Sequence, residues 1–274
     1  MSSQISAKTA LCGIILHPAG HTRSPRMHNA AYRALGIDAA YLAFDVPPDQ
    51  LRAAISGIRA LGLRQLAVSI PHKVEVMQYL DEIDEQAQRI GAVNTVTLSA
   101  GRLLGSNTDW IGSNRALERE TSLAGKQAVV LGAGGAARAI VFGLIAQGAK
   151  VRVLNRTVER AQSLAEDLSA EGAGSLADLG ELAYDVLVNA TSIGLRSDTS
   201  PVPAEQLRAD AVIMDAVYDP EETRLLREAR ERGAIPIQGK WMLIHQAAEQ
   251  LRAWTGEEAP IEVLEKAFDD SYDS

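Results

Sequence analysis

The sequence predicts an α/β protein: an N-terminal α/β domain, then a Rossmann-type dinucleotide-binding domain, with C-terminal helices packing back on the first domain. Three observations predict it. Apolar, strand-like runs alternate with helix-like stretches almost from end to end, the pattern of strands joined by helical crossovers. At about 150 residues per domain, 274 residues suggest two domains. A glycine-rich turn at 132–135 lies between a strand-like and a helix-like segment, where a dinucleotide-binding unit places it.

The elements follow in order. Residues 11–16 read as a buried strand, 25–35 as a helix, 41–45 as a strand and 49–59 as a helix with Leu51, Ile55 and Ile58 at helical spacing. Strands are expected at 66–70 and 92–98, with a short helix over 74–80 between them. A helix runs from Asn107-Thr108-Asp109 to about Glu120. The second half is a cleaner series: strands at 127–131, 151–154, 186–189, 212–215 and 235–237, with helices at 135–147, 158–168 and 222–232. Helices at 242–254 and 261–268 close the chain, and the acidic end, 269–274, reads as a frayed tail. Such alternation implies parallel sheets covered on both faces.

Composition narrows the function classes. With 27 basic and 35 acidic residues the net charge is −8, which argues against a nucleic-acid coat or a polybasic membrane anchor. At 46% hydrophobic and 23% charged, the chain is an ordinary globular one, and 4% aromatic content leaves the core to Leu, Ile, Val and Ala. The one cysteine, Cys12, forms no internal disulfide and suits a reducing compartment. The longest apolar run, 139–146, is far short of a membrane span. His17-Pro18 stands where a signal cleavage site would follow the apolar 10–16, so that segment reads as a strand. A cytoplasmic protein is the expectation, as monomer or homodimer. His17 and His21 are four apart, but Pro18 and Gly20 break any helix between them, so no metal site is expected.

In the turn, Gly132 permits the tight bend, Gly134 lets the backbone approach a pyrophosphate, and Ala137 keeps helix against strand, while Ala133, Gly135 and Ala136 lead into the helix whose N–H groups face the phosphates. Which dinucleotide is decided at the end of the second strand. An NAD site usually has a carboxylate there; this chain has Asn155-Arg156-Thr157, with Arg160 one turn on. A guanidinium grips a 2′-phosphate that a carboxylate would repel, so NADP is the expected cofactor.

The first half supplies polar groups at strand ends: Thr22 and Ser24 at a turn, Ser69 and Lys73 after the third strand, then Asn94 and Asp109. Strand ends of an open sheet face a common crevice. Lysine is scarce, six against 21 arginines, so a lysine beside a strand end stands out. It can give or take a proton as arginine cannot, and a nearby aspartate favours its charged form. Each group also has a plain reading: Ser24 or Thr22 as a helix cap, Asp109 as the next cap, Asn94 as the closure of a turn.

Together these motifs resemble the shikimate dehydrogenase family. They are Ser24-Pro25 with His28, Pro71 with Lys73, 91–95, Asn107-Thr108-Asp109, 132–137, Asn155-Arg156-Thr157, Asn189-Ala190-Thr191-Ser192 with Gly194, and Met242-Leu243 with Gln246-Ala247-Ala248, in order along nearly the whole chain. The resemblance implies NADP-linked reduction of 3-dehydroshikimate to shikimate in aromatic amino-acid biosynthesis. On that mapping Lys73 and Asp109 are the catalytic pair. Thr22 and Ser24 match positions that hold the substrate carboxylate. Ser69, Asn94, Asp109 and Gln246 match those that hold its hydroxyls, and Tyr218 one near the substrate. Asn189, Ala190, Thr191, Ser192 and Gly239 would line the nicotinamide side. The implied domains are 1–108 for substrate and 109–240 for NADP, with 241–274 returning to the first.

The chain departs from the family pattern at Ala67, where an asparagine is common, at Thr22 for serine, and at Thr223-Arg224 for Thr-Pro. Two alternatives follow: a quinate/shikimate-type dehydrogenase of a divergent branch, or a non-catalytic NADP-binding regulator on the same fold.

Overall fold

The computed structural model describes residues 5–20 and 22–270, and these form two compact units: one of the described residues up to 108 together with 246–270, the other of residues 109–245. His21, and the acidic end beyond residue 270, lie outside the described residues.

The first unit holds a six-stranded sheet of order β2-β1-β3-β5-β6-β4. Its strands are β1 (Ala10–Leu16), β2 (Ala39–Asp45), β3 (Gln65–Val68), β4 (Glu82–Ile83), β5 (Thr95–Ser99) and β6 (Arg102–Ser106). Its helices are α1 (Ser24–Leu35), α2 (Leu51–Leu61) and α3 (Glu85–Ile90). β1 pairs in parallel with β2 and β3, but β5 is antiparallel to both β3 and β6, so the all-parallel expectation fails in this unit. The reason is a two-residue hairpin: Ala100 (φ 49°) and Gly101 (φ 76°) both take positive φ, the turn whose twist matches a tight strand pair. Other differences are local. Residues 75–79 form a 3-10 helix, and 92–94 precede β5 as a loop because α3 stops at Gly91 (φ 71°) just before them. Leu51, Ile55 and Ile58 of α2 pack with Leu66, Val68, Val93 and Val96 in this unit's core.

The last helix, α9 (Ile261–Asp269), packs on α1 within the same unit. Arg23 donates to the Phe268 carbonyl at 3.3 Å and lies 4.6 Å over the Phe268 ring.

The second unit is a parallel sheet of order β12-β11-β10-β7-β8-β9. It comprises β7 (Gln127–Leu131), β8 (Lys150–Leu154), β9 (Gly172–Gly174), β10 (Val186–Asn189), β11 (Val212–Asp215) and β12 (Ile235–Ile237). Helices α4 (Asp109–Leu117), α5 (Gly135–Ala146), α6 (Val158–Leu168) and α7 (Arg224–Glu231) accompany it, and α8 (Gly239–Thr255) begins in it. Read from its edge the order is third, second, first, fourth, fifth, sixth: the doubly wound dinucleotide-binding topology, whose switch point lies between β7 and β10. Alternate residues feed opposite cores. Ala128, Val130, Val186, Val188, Val212 and Met214 join Ile140 and Leu144 of α5, whereas Val129, Leu131, Leu187 and Ile213 join Leu225 and Ala229 of α7. Burial on both faces explains why these strands read as unbroken apolar runs. Among the described residues no helix is long and apolar enough to cross a membrane.

Candidate functional site

In the second unit the glycine turn falls at the switch point. Gly132 has φ +115°, and a Cβ there would lie 3.2 Å from the Ala190 carbonyl and the Thr191 side chain. The turn after β7 is therefore closed against the loop after β10 with no space for a side chain. Gly134 is the opposite case: it precedes α5 in an extended conformation, no side chain caps that helix, and a Cβ on it would meet nothing within 4 Å. Uncapped N–H groups at the start of a 12-residue helix, facing open space, fit a pyrophosphate. At the end of β8, Arg156, Thr157 and Arg160 are exposed, and the Asn155 amide donates to the Thr157 carbonyl at 2.9 Å, shaping that turn. The residues present thus fit a dinucleotide carrying an extra phosphate.

The loops after β10 and β11 are tied by a buried carboxylate. Asp215 Oδ1 accepts from the Asn189 amide (2.9 Å) and the Val217 N–H (3.0 Å), and its Oδ2 from the Thr223 hydroxyl (2.7 Å). Asn189 Oδ1 in turn accepts from the Thr191 N–H (3.0 Å) and hydroxyl (2.7 Å). Burial pushes the Asp215 carboxyl up to about 6, opposed by these donors. Asn189 and Thr191 therefore build the loop's shape from within, while Ser192 is exposed on it. Gly239 is packed so closely that a Cβ would sit 2.6 Å from the carbonyls of both Asp215 and Val217. Tyr218, the next residue along, is half-buried. Asp109, 3% exposed, is the first residue of α4, where a helix N-terminus favours a carboxylate.

In the first unit, β3 and its following loop are stitched to the loop before β5: Val68 N–H donates to the Asn94 carbonyl and Val93 N–H to the Lys73 carbonyl, both at 2.7 Å. Ser69 and the half-buried Lys73 thus stand beside Asn94. The Asn94 amide does more than close a turn. Its nitrogen donates to Thr108 Oγ1 (3.1 Å) and Gln246 Oε1 (3.3 Å), and its oxygen accepts from the Thr108 N–H (2.8 Å) and the Thr95 hydroxyl (2.7 Å). Thr108 Oγ1 also donates to the Gln246 carbonyl at 3.2 Å. Residues 14 and 152 apart in sequence so form one buried cluster. Thr22 and Ser24 do not cap α1: its N-cap is Arg23, with no side-chain cap bond, and Thr22 Oγ1 accepts from the Ser24 N–H at 3.4 Å.

Three family profiles match along the chain: the shikimate dehydrogenase substrate binding domain over residues 14–96, shikimate / quinate 5-dehydrogenase over 113–199, and the shikimate 5′-dehydrogenase C-terminal domain over 239–267. The chain belongs to the shikimate dehydrogenase family. It is 50% identical to the shikimate dehydrogenase (NADP(+)) of Thermococcus kodakarensis over 252 residues, 91% of this chain and 92% of that protein. A crystal structure of a shikimate dehydrogenase in complex with NADP+ superposes with a TM-score of 0.94 at 44% identity, covering 99% of this chain and 98% of the other. The Thermus thermophilus shikimate 5-dehydrogenase in complex with NADP(H) and shikimate superposes with a TM-score of 0.90 at 38% identity, over 96% and 100%.

Sequence reasoning passed over Asp215, Thr223 and Thr108 as site-building residues. A carboxylate ending the apolar strand at 212–215 was the available signal for the first, since a charge there needs donors. Thr108 stood inside a recognised motif, and only the fold puts its hydroxyl against Asn94 and Gln246.

Proposed function

We propose that this protein is an NADP-dependent shikimate dehydrogenase, reversibly reducing 3-dehydroshikimate to shikimate in aromatic amino-acid biosynthesis. The observation that carries it is the likeness, at 50% identity over 91% of the chain, to a relative bearing that name. The Gly132 turn and the polar cluster around Asn94 support it, since they supply what a dinucleotide and a polyhydroxylated ring require. Residues 1–108 take the substrate, 109–240 the cofactor, and 241–274 return to the substrate domain, which the packing of α9 on α1 supports.

When bound, NADPH supplies a hydride to the carbonyl carbon of the ring. The Lys73 ammonium donates its proton to the carbonyl oxygen, so that the new C–H and O–H bonds complete the alcohol; in reverse the neutral amine takes the hydroxyl proton. Asp109 accepts from a ring hydroxyl. Thr22 and Ser24 hold the carboxylate, Ser69, Asn94 and Gln246 hold hydroxyls, and Tyr218 lines the ring. Gly132, Ala133, Gly134, Gly135 and Ala136 cradle the pyrophosphate, with Asn155, Arg156, Thr157 and Arg160 at the 2′-phosphate. Asn189, Ala190, Thr191, Ser192 and Gly239 flank the nicotinamide. A site built to pair each hydroxyl rejects rings lacking one, because its own polar groups would be left unpaired.

NADPH formation from shikimate or quinate, each with NADP or NAD, tests this. Turnover of shikimate with NADP is expected. Turnover of quinate alone would keep the Lys73 chemistry and change the ring, and turnover of neither would contradict the assignment.

A further inference from the structure

We propose that Gln250 is a positioning residue for the ring-binding end of the site, fixing Asn94 through its main-chain carbonyl. The inference rests on the dehydrogenase reading and extends it to a residue outside the motifs of the sequence.

Gln250 is 1% exposed, and its Nε2 donates to the Asn94 carbonyl at 3.3 Å. That carbonyl already accepts from Val68 N–H at 2.7 Å, so both of its lone pairs are engaged. Gln246, which accepts from the Asn94 amide, lies four residues earlier on α8 and so on the same helix face. One face of one helix thus holds Asn94 twice, by its side chain and by its backbone. The Asn94 amide bonds Thr108 and Thr95 closely and Gln246 at 3.3 Å; a ring hydroxyl takes the place of that long Gln246 contact, so the aim of the amide is set by what fixes its backbone.

Steady-state kinetics of Gln250→Leu, which keeps similar bulk and removes the amide, test this. The shikimate KM is expected to rise about fivefold, the order of one buried hydrogen bond, with the NADP KM unchanged. Gln250→His restores an N–H at similar reach and is expected to recover most of the loss. A shikimate KM equal to that of the wild type, or shikimate and NADP KM rising together, would overturn the proposal. So would a lowered melting temperature with no change in shikimate KM, the mark of a packing role alone. Should Gln250→Leu not fold, Gln250→Met carries the same test. A wild-type protein that does not turn over shikimate overturns the parent reading and this one with it; an active wild type matched by its variants overturns this one alone.

Discussion

At Gly132 a backbone with φ +115° presses on the Ala190 carbonyl, and at Gly134 the chain opens onto free space before a helix. The glycine turn of the second unit is shaped by main-chain geometry, and side chains such as Asn189 and Asp215 hold the neighbouring loops in place. At Asn94, in the first unit, the reverse holds: four polar contacts converge on one amide, and the backbone around it is stitched so that the side chain points correctly. A backbone site is contiguous, and at Gly132 it has no space for an added side chain. A side-chain site is dispersed, and it tolerates change wherever another group can supply the same hydrogen bond.

Lys73→Ala separates the two units most sharply. Removing the proton donor is expected to lower kcat about a thousandfold while NADP affinity by titration is unchanged; equal turnover would remove Lys73 from the chemistry. Gly132→Val is the mirror experiment. A branched residue at φ +115° against Ala190 is expected to cost about 3 kcal/mol of stability and to abolish measurable NADP binding. A variant that melts and binds as the wild type would show that the close approach is not required.

Asp215 sharpens the comparison through pH. Its folded pKa of about 6 lies above the unfolded value near 3.9, so between those values the native state binds the proton more strongly. Stability from this group is therefore gained as pH falls through about 6 and is complete below about 4; ionisation as pH rises through this range costs about 3 kcal/mol. The difference in melting temperature between wild type and Asp215→Asn should shift in favour of the wild type from pH 7.5 to 5, and a constant difference would contradict it. The smallest effect is expected at the exposed Arg156. Arg156→Ala should raise the NADP KM about tenfold with the NAD KM unchanged; an unchanged NADP KM would refute its role at the 2′-phosphate.

The same contrast governs what could be read in the sequence. The strand, glycine turn and helix at 127–147 were legible because the turn is a local necessity and the strands are buried on both faces. β9 was not, since Gly172–Gly174 has no side-chain pattern to read, and β4 and α3 are too short to show a period. The hairpin joining β5 and β6 escaped because Ala100-Gly101 is a weaker turn signal than Asn-Gly. In the first unit, the residues themselves showed Lys73 and Asn94 as polar groups at strand ends, and the family resemblance gave them roles. Nothing local joins Asn94 to Gln246, 152 residues away, or to Gln250. Family resemblance gave Gln246 a role; only the fold gives one to Thr108 and Gln250.

The most direct test is the absorbance of NADPH formed when purified protein meets shikimate and NADP, beside the same reaction with quinate and with NAD. Rapid turnover of shikimate with NADP, and far slower reaction in the other three combinations, is the predicted result. Absence of turnover with shikimate under conditions where NADP binds would contradict it.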